Sequence, residues 1–276
     1  MLRARRGRLG GRVAKSSNFW HEVVARYRQI GLPFVPDTAL VNQISAMADE
    51  IGGLGLVLGA TPAYADLPAP ITACDIDPVT LSAIWPKDRP DLNAVQSDWS
   101  NMPFADGQFL RIYGDGSLNS LTSLAAIEVV LRECKRLLAP GGIALFRCYV
   151  HETPLPTYEA LVKSPPFGMS LSGLRLLLYT HFARSPDFQC RVGDMLAPME
   201  AAHGSAAAFL KVAGLDPALD GLFEAARGSP LVYLFPDRQT FLDLARSAGF
   251  TADFVETTGY ECAKICPVLK LALTPV

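Results

Sequence analysis

The chain has 276 residues, 50% of them hydrophobic and 19% charged, a length that fits one large α/β domain or a core domain with an inserted module. No apolar run reaches the roughly 18 residues that a membrane span needs, so the sequence predicts a soluble protein without a membrane partner. Its six cysteines form no CxxC pair, which favours a reducing, cytoplasmic setting over a disulfide-rich secreted one.

The basic residues are concentrated at the amino terminus. Six of the 25 lysines and arginines lie in the first fifteen positions, which contain no acid, so the remaining chain has 19 basic against 27 acidic residues. An acidic body argues against a nucleic-acid partner, because neutralisation of phosphates dominates such binding. The basic segment also lacks the apolar stretch of a secretory signal, and we expect residues 1–16 to form a disordered tail.

Two helices are predicted before the first strand. The stretch "SSNFWHEVVARYRQIG" has apolar residues at helical spacing after a Ser/Asn start signal, and Gly31 ends it. Asp37 is the predicted N-cap of a second helix, whose apolar residues recur at i, i+3, i+4 and i+7. Gly52 and Gly53 end that helix.

Short apolar strands and helices alternate in the next hundred residues. The predicted strands are Leu54–Leu58, Ile71–Cys74, Leu92–Gln96 and Phe109–Tyr113. A helix of roughly 20 residues, "SLTSLAAIEVVLRECKRLLA", then leads to the strand "IALFRCYV". Strands that are continuously apolar and separated by helices indicate a mostly parallel sheet that is buried on both faces.

Residues 152–229 interrupt this alternation, with helical periodicity and no clear strand. Asp237 then begins a helix, and the last two strand runs, "FTADFVETTG" and "ICPVLKLAL", have a short link that predicts an antiparallel pair. The sequence therefore predicts an α/β fold with a doubly wound, mostly parallel sheet. Its core would comprise residues 17–151 and 230–276, and residues 152–229 would form a helical insertion that covers the pocket.

Ligands of such open sheets bind at the carboxyl ends of the strands, where several polar residues stand. Asp75 ends the second strand, and a carboxylate there can accept hydrogen bonds from both hydroxyls of a ribose. Asp98 and Trp99 end the third strand, where an acid could accept from an exocyclic amine and an indole could stack on a base. These positions predict a nucleoside site.

The chain resembles the class I S-adenosylmethionine-dependent methyltransferases over about residues 50–150 and 235–274. Four stretches in the family's order carry the resemblance: "LVLGATPA", "ITACDIDPVTLSAI", "QSDWSNMPFADGQFLRIYGDGS" and "LRECKRLLAPGGIALF". The third and fourth are the most specific, because Met-Pro-Phe, Asp-Gly and a strand precede a long helix that ends in Pro-Gly-Gly. The resemblance implies a seven-stranded sheet with an antiparallel last strand, and S-adenosylmethionine as methyl donor.

The resemblance also implies the residues that contact this donor. The turn after the first strand would pass under the methionine part, Asp75 would bind the ribose, and the loop after the fourth strand would face the methyl group. The implied cofactor-binding residues are Gly59, Ala60, Thr61, Asp75, Ile76, Asp98, Trp99, Gly114 and Asp115. The chain departs from the family's Gly-x-Gly-x-Gly turn, because Thr61 and Ala63 stand where glycines are expected.

Catalytic and substrate residues are harder to assign from the sequence. Methyl transfer needs a general base only if the acceptor must lose a proton, and His151, after the fifth strand, is a weak candidate for that role. Tyr27, Asn119 and Tyr149 are candidates for substrate contact. We expect a small-molecule acceptor, and the sequence leaves a homodimer open. No metal site is predicted, since Cys262 and Cys266 lack a second Cys/His pair.

Two other functions stay open at this point. The chain could be a catalytically inactive methyltransferase-fold binding protein, which the two missing glycines suggest. Less favoured is an NAD(P)-dependent Rossmann oxidoreductase, because the sequence lacks Gly-x-Gly-x-x-Gly and contains the Asp-Trp and Pro-Phe-x-Asp-Gly stretches instead.

Overall fold

A computed structural model describes residues 30–48, 51–68, 70–152, 157–183 and 186–274. Its strands in chain order are β1 Gly55–Leu58, β2 Ile71–Asp75, β3 Leu92–Gln96, β4 Phe109–Asp115, β5 Leu138–Arg147, β6 Gln189–Arg191, β7 Val232–Leu234, β8 Phe250–Val255 and β9 Val268–Leu273. Seven of them form one sheet in the order β3-β2-β1-β4-β5-β9-β8. Only β9 runs antiparallel to its neighbours in that sheet. The predicted α/β class, the parallel core and the terminal antiparallel pair are confirmed.

The helices pack on both faces of this sheet or belong to the insertion. They are α1 Thr38–Ala46, α2 Pro78–Ile84, α3 Leu124–Leu137, α4 Tyr158–Lys163, α5 Leu171–Phe182, α6 Leu196–His203, α7 Ala206–Val212, α8 Gly221–Glu224 and α9 Arg238–Ser247. None of the helices that the structure describes is long and apolar enough to cross a membrane.

Aspartate side chains begin three of these helices, including the two starts predicted above at Asp37 and Asp237. The Asp37 carboxylate accepts from Leu40 N at 2.9 Å, and Asp237 accepts from Thr240 N at 2.7 Å. Asp77 accepts from two backbone N–H groups at the start of α2, where Pro78 occupies the first helical position. Each bond satisfies a donor that the first helical turn would otherwise leave unpaired. The Asp77 cap also fixes where α2 begins, directly after the end of β2.

The continuous apolar strands are explained by burial on both faces of the sheet. In β1, Leu56 and Leu58 belong to the cluster under α3 and α9, whereas Val57 belongs to the cluster under α1 and α2. All four residues of β1 are buried. A strand with one solvent-facing side would alternate apolar and polar residues. The carboxyl end of this buried sheet is therefore a rigid base for a binding site.

Three local predictions differ from the structure. The long helix has 14 residues instead of roughly 20, because Ser123 caps it by accepting from Ala126 N and β5 follows directly at Leu138. The Thr61-Pro62 pair after β1 is a sequence signal for the start of an α-helix, but it leads to a short 3-10 helix, Pro62–Asp66, in which Thr61 makes no capping bond. The insertion does contain a strand, because β6 pairs antiparallel with β7. The predicted tail and first helix fall mainly on residues 1–29, outside the described residues.

Candidate functional site

A cavity of about 520 Å³ lies at the carboxyl ends of β1 to β4. One side is formed by the ends of these strands and the loops that follow them. The opposite side comes from the segment before α1, from α5 and from β7 with the residue after it. The first side includes Gly59, Asp75, Ile76, Asp98, Trp99, Asp115 and Gly116, and the second includes Phe34, Arg175, Tyr179, Tyr233 and Phe235.

The turn after β1 needs glycine at one position only. Gly59 has a φ of +102°, a conformation that side chains rarely adopt, and its N–H donates to Cys74 O at 2.8 Å. Thr61 has an ordinary φ of −89°, and Ala63 lies inside the 3-10 helix without a positive φ. The two departures from the family pattern therefore fall where the backbone does not demand glycine. Ala60 and Thr61 both line the cavity.

Asp75 is the last residue of β2, and its side chain lines the cavity beside Gly59. Its Oδ1 accepts from Asp77 N at 2.9 Å, which fixes the carboxylate at the start of the turn into α2. Burial raises the pKa of Asp75 to about 6, because desolvation outweighs the backbone hydrogen bonds that favour the charged form. Ile76 follows with 53% of its surface exposed, toward the same cavity. The pair offers an acceptor and an apolar contact.

Asp98 and Trp99 follow β3 and also line the cavity. The Asp98 Oδ1 accepts from the backbone N and the hydroxyl of Ser100, at 2.8 and 2.7 Å, and so closes its own turn. The indole Nε1 of Trp99 donates to Cys74 O at 2.7 Å, which ties this loop to the end of β2. The indole is thereby fixed next to Gly59 and Asp75.

A buried ion pair joins the last residue of β4 to the last residue of β5. Asp115 and Arg147 have side chains 1% and 0% exposed, and the Arg147 Nη2 lies 2.6 Å from the Asp115 Oδ1. Burial raises the pKa of Asp115, and the Arg147 guanidinium opposes that shift. Gly116 follows with a φ of +62°, and its N–H donates to Arg147 O at 2.9 Å. The pair and this bond fix the turn between β4 and the next short helix.

Gly114 lies under the cavity and is not part of its lining. A Cβ at this position would meet the Ser117 hydroxyl and approach the Phe146 ring to 2.6 Å. Gly114→Ala is therefore expected to destabilise the protein by about 1–3 kcal/mol, through overpacking at a fully buried point. Thermal unfolding measures this effect. Gly31→Ala is the matched control, because nothing lies within 4 Å of its added Cβ, and an equal loss in both variants would contradict the explanation.

Two of the three residues proposed for substrate contact line the cavity, and both also hold the fold together. The Asn119 amide donates to Tyr149 O and to Leu234 O, each at 2.7 Å, and accepts from Tyr149 N at 2.9 Å. Its polar atoms are thus used to join β5 to β7. Tyr149 is buried, with its ring edge-on to Phe34 at 5.7 Å. The third residue, Tyr27, lies outside the described residues.

His151 does not line the cavity, contrary to the hypothesis of a general base there. Its backbone N–H donates to Pro236 O, and the residue forms a bridge with Asp237 as the chain leaves the sheet toward the insertion. Burial lowers the pKa of its imidazole. The position of His151 does not support a role as general base at this cavity.

Sequence reasoning missed the side of the cavity that the insertion supplies. Arg175 and Tyr179 come from α5, Tyr233 belongs to β7, and Phe235 follows that strand. The one available signal was an arginine inside the apolar run "LSGLRLLLYTHF", which is unusual on a buried helix face. Groups of three or more His, Cys, Asp or Glu that could hold a metal ion are absent from the described part of the chain.

Comparison with known proteins finds one matching family model and solved structures with similar folds. The model of one family, described as Methyltransferase domain, matches residues 52–146. No curated protein matches the chain. A structure described as a candidate Zn-dependent alcohol dehydrogenase from Rhodobacter sphaeroides is 12% identical, with a TM-score of 0.59 over 95% of this chain and 100% of that one.

Two methyltransferase structures have similar folds. A chain in the complex between the Haloferax volcanii Trm112 methyltransferase activator and a candidate methyltransferase is 12% identical, with a TM-score of 0.56 over 95% of this chain and 98% of that one. A SAM-dependent methyltransferase from Methanosarcina mazei is 14% identical, with a TM-score of 0.52 over 83% and 97%. At these identities the similarity is one of fold, so activity has to be argued from the site.

Proposed function

We propose that this chain is a class I S-adenosylmethionine-dependent methyltransferase that transfers the methyl group to a small-molecule acceptor, because a methyltransferase-domain model matches residues 52–146. The observation that carries the proposal is the position of Asp75 at the end of β2, beside the positive-φ turn at Gly59, in one cavity of about 520 Å³. This volume lies in the range of about 300–1,000 Å³ that is usual for small-ligand sites.

The residues on the strand side fit the parts of the donor. The Asp75 carboxylate would accept hydrogen bonds from the two ribose hydroxyls, and Ile76 and Trp99 would contact the adenine, with Asp98 at its edge. The turn from Gly59 to Thr61 and the residues Asp115 and Gly116 would hold the methionine part. Thr61 is compatible with this role, because its ordinary backbone conformation leaves the turn unstrained.

Bound S-adenosylmethionine supplies a methyl group on a positively charged sulfur, which a nucleophile displaces in line. This chain would contribute orientation and exclusion of water, which can supply most of the acceleration of such a displacement. A protein base is not part of the proposal. Asp115 is paired with Arg147, and burial raises the pKa values of Tyr149 and Tyr233, so their phenolate forms are disfavoured. None of these three side chains would therefore serve as the base.

The side of the cavity formed by α5 of the insertion, by β7 and by the segment before α1 supports a small acceptor. Its lining is mostly aromatic. The ring centroid of Tyr179 lies 5.7 Å from that of Tyr233 and 6.4 Å from that of Phe235. Such a surface favours a compact, partly apolar molecule. We accordingly propose residues 152–229 as a substrate-side covering of the donor site.

Binding of S-adenosylhomocysteine tests the donor site directly. At ~100 times its dissociation constant, this ligand should stabilise the protein by roughly 2.7 kcal/mol, which raises the midpoint of thermal unfolding. NAD⁺ and NADH, tested in parallel, should produce no such shift. Absence of a shift with millimolar S-adenosylhomocysteine would overturn the proposal, and a shift with NADH alone would favour an oxidoreductase. Binding without methyl transfer to any acceptor would favour the catalytically inactive alternative.

A further inference from the structure

Arg175 is a buried cation on the insertion side of the cavity. It lies on α5 with 6% of its surface exposed and lines the cavity. Its guanidinium carbon lies 5.6 Å from the ring centroid of Phe34 and 5.6 Å from that of Tyr179. Nη2 donates to the Tyr179 hydroxyl at 2.9 Å. Two neighbouring aromatic rings and one phenol oxygen thus hold the guanidinium in place.

This guanidinium has no anionic partner among the described residues. Its Nε is fully buried and donates no hydrogen bond within the described ranges. Arg147, which is equally buried, is neutralised by Asp115. Arg111 also lacks a carboxylate, but it donates to the Gly53 carbonyl and lies outside the cavity lining. Arg175 is therefore a desolvated positive charge that faces the proposed acceptor.

A buried, unpaired charge is costly, and an arginine cannot lower that cost by losing its proton. Binding of an anion would remove the penalty, because a guanidinium offers two parallel N–H groups to a carboxylate. One guanidinium compensates one negative charge. The surrounding rings of Phe34, Tyr149, Tyr179 and Tyr233 suit an apolar or aromatic body next to that charge.

We propose that the methyl acceptor carries a carboxylate beside an apolar or aromatic body, and that Arg175 binds this carboxylate. The inference rests on the proposed function and names its substrate class. Arg175 would select and orient the acceptor, with its reactive atom held away from the carboxylate toward the Gly116 loop. A phosphate ester carries nearly two negative charges, and Arg175 would balance only one of them. The other charge would stay unpaired among aromatic rings.

Matched pairs of an aromatic acid and its neutral amide test this inference. The probes are benzoate and benzamide, phenylacetate and phenylacetamide, and indole-3-acetate and indole-3-acetamide, each titrated by calorimetry into protein saturated with S-adenosylhomocysteine. At least one acid should bind tenfold or more tightly than its amide. Arg175→Met should abolish that preference and leave the affinity for S-adenosylhomocysteine unchanged. Phenyl phosphate, the dianionic comparison, should bind more weakly than the acids.

Two further variants separate charge recognition from a general effect on folding. Arg175→Lys keeps the charge without the planar fork and should retain part of the preference for the acid. Arg191→Met removes an exposed arginine of β6 and should leave all affinities unchanged. The inference would be overturned if acids and amides bound equally tightly, or if no acid bound. Continued binding of S-adenosylhomocysteine would show that the donor site itself is intact. Loss of S-adenosylhomocysteine binding in Arg175→Met alone would assign Arg175 to the methionine carboxylate instead.

Discussion

Asp75→Ala is expected to weaken the binding of S-adenosylhomocysteine by roughly 100-fold. Hydrogen bonds to a charged group contribute about 1.5–3 kcal/mol each, and 1.4 kcal/mol corresponds to a factor of ten. The carboxylate is positioned for two such bonds, because Asp77 N holds its Oδ1 at 2.9 Å and the side chain faces the cavity. Calorimetry measures the change. The control Asp243→Ala removes an exposed acid of α9 and should have no effect.

The affinity of the unmodified protein should also depend on pH. Burial raises the pKa of Asp75 to about 6, so the acceptor form of the carboxyl predominates above this value and is lost as the pH falls through it. We expect the affinity for S-adenosylhomocysteine to be constant above pH 7 and to fall about tenfold per unit below pH 6. In Asp75→Asn this dependence should disappear. A flat profile of the unmodified protein between pH 5 and 7.5 would contradict the assignment of the ribose contact.

The same carboxylate should cost stability in the absence of ligand. A folded-state pKa above that of the unfolded chain means that the folded protein binds the proton more tightly. Protonation of Asp75 therefore stabilises the folded protein. This contribution is fully present below about pH 4 and is lost as the pH rises through about 6. Asp75→Asn should therefore be more stable than the parent at pH 7.5, by about 1–2 kcal/mol after allowance for partial exposure. The difference should vanish near pH 4.

The strand side of the site could be predicted because local sequence determines it. Asp77 and Asp237 combine a capping side chain with the start of an apolar helix, and the structure contains both caps. Asp75 follows a short apolar strand, and parallel strands bring their carboxyl ends to one edge. The missing glycines at 61 and 63 could not be judged from sequence, since the backbone conformation that makes glycine necessary occurs at Gly59 alone.

The sequence predicts an insertion over the pocket but not the residues that line this side, because contacts between distant parts of the chain create it. Phe34 and Arg175 are 141 positions apart in the numbering and meet at 5.6 Å. The strand β7 joins β6, which has three residues and no alternation that would distinguish it from a loop. His151 was proposed from its place after β5, but the chain there turns away from the cavity toward Pro236.

Asp115→Ala is expected to cost about 3–5 kcal/mol of unfolding free energy, the largest effect on stability predicted for this chain. It would leave the Arg147 guanidinium, which is fully buried, without its carboxylate. At roughly 2–4 °C per kcal/mol for a chain of this size, the unfolding midpoint should fall by about 10 °C. Asp243→Ala breaks an exposed pair with Arg246, 3.2 Å apart, and should cost less than about 1 kcal/mol.

The double variant Asp115→Ala/Arg147→Met distinguishes the unpaired charge from the loss of packing. Removal of both charges should recover most of the lost stability, because an apolar side chain carries no desolvation penalty. Arg147 O also accepts from Gly116 N at 2.9 Å, and that backbone bond survives both substitutions. The double variant should therefore keep the turn at Gly116. If it stays as unstable as Asp115→Ala, the pair stabilises the turn through its geometry and not through the balance of its charges.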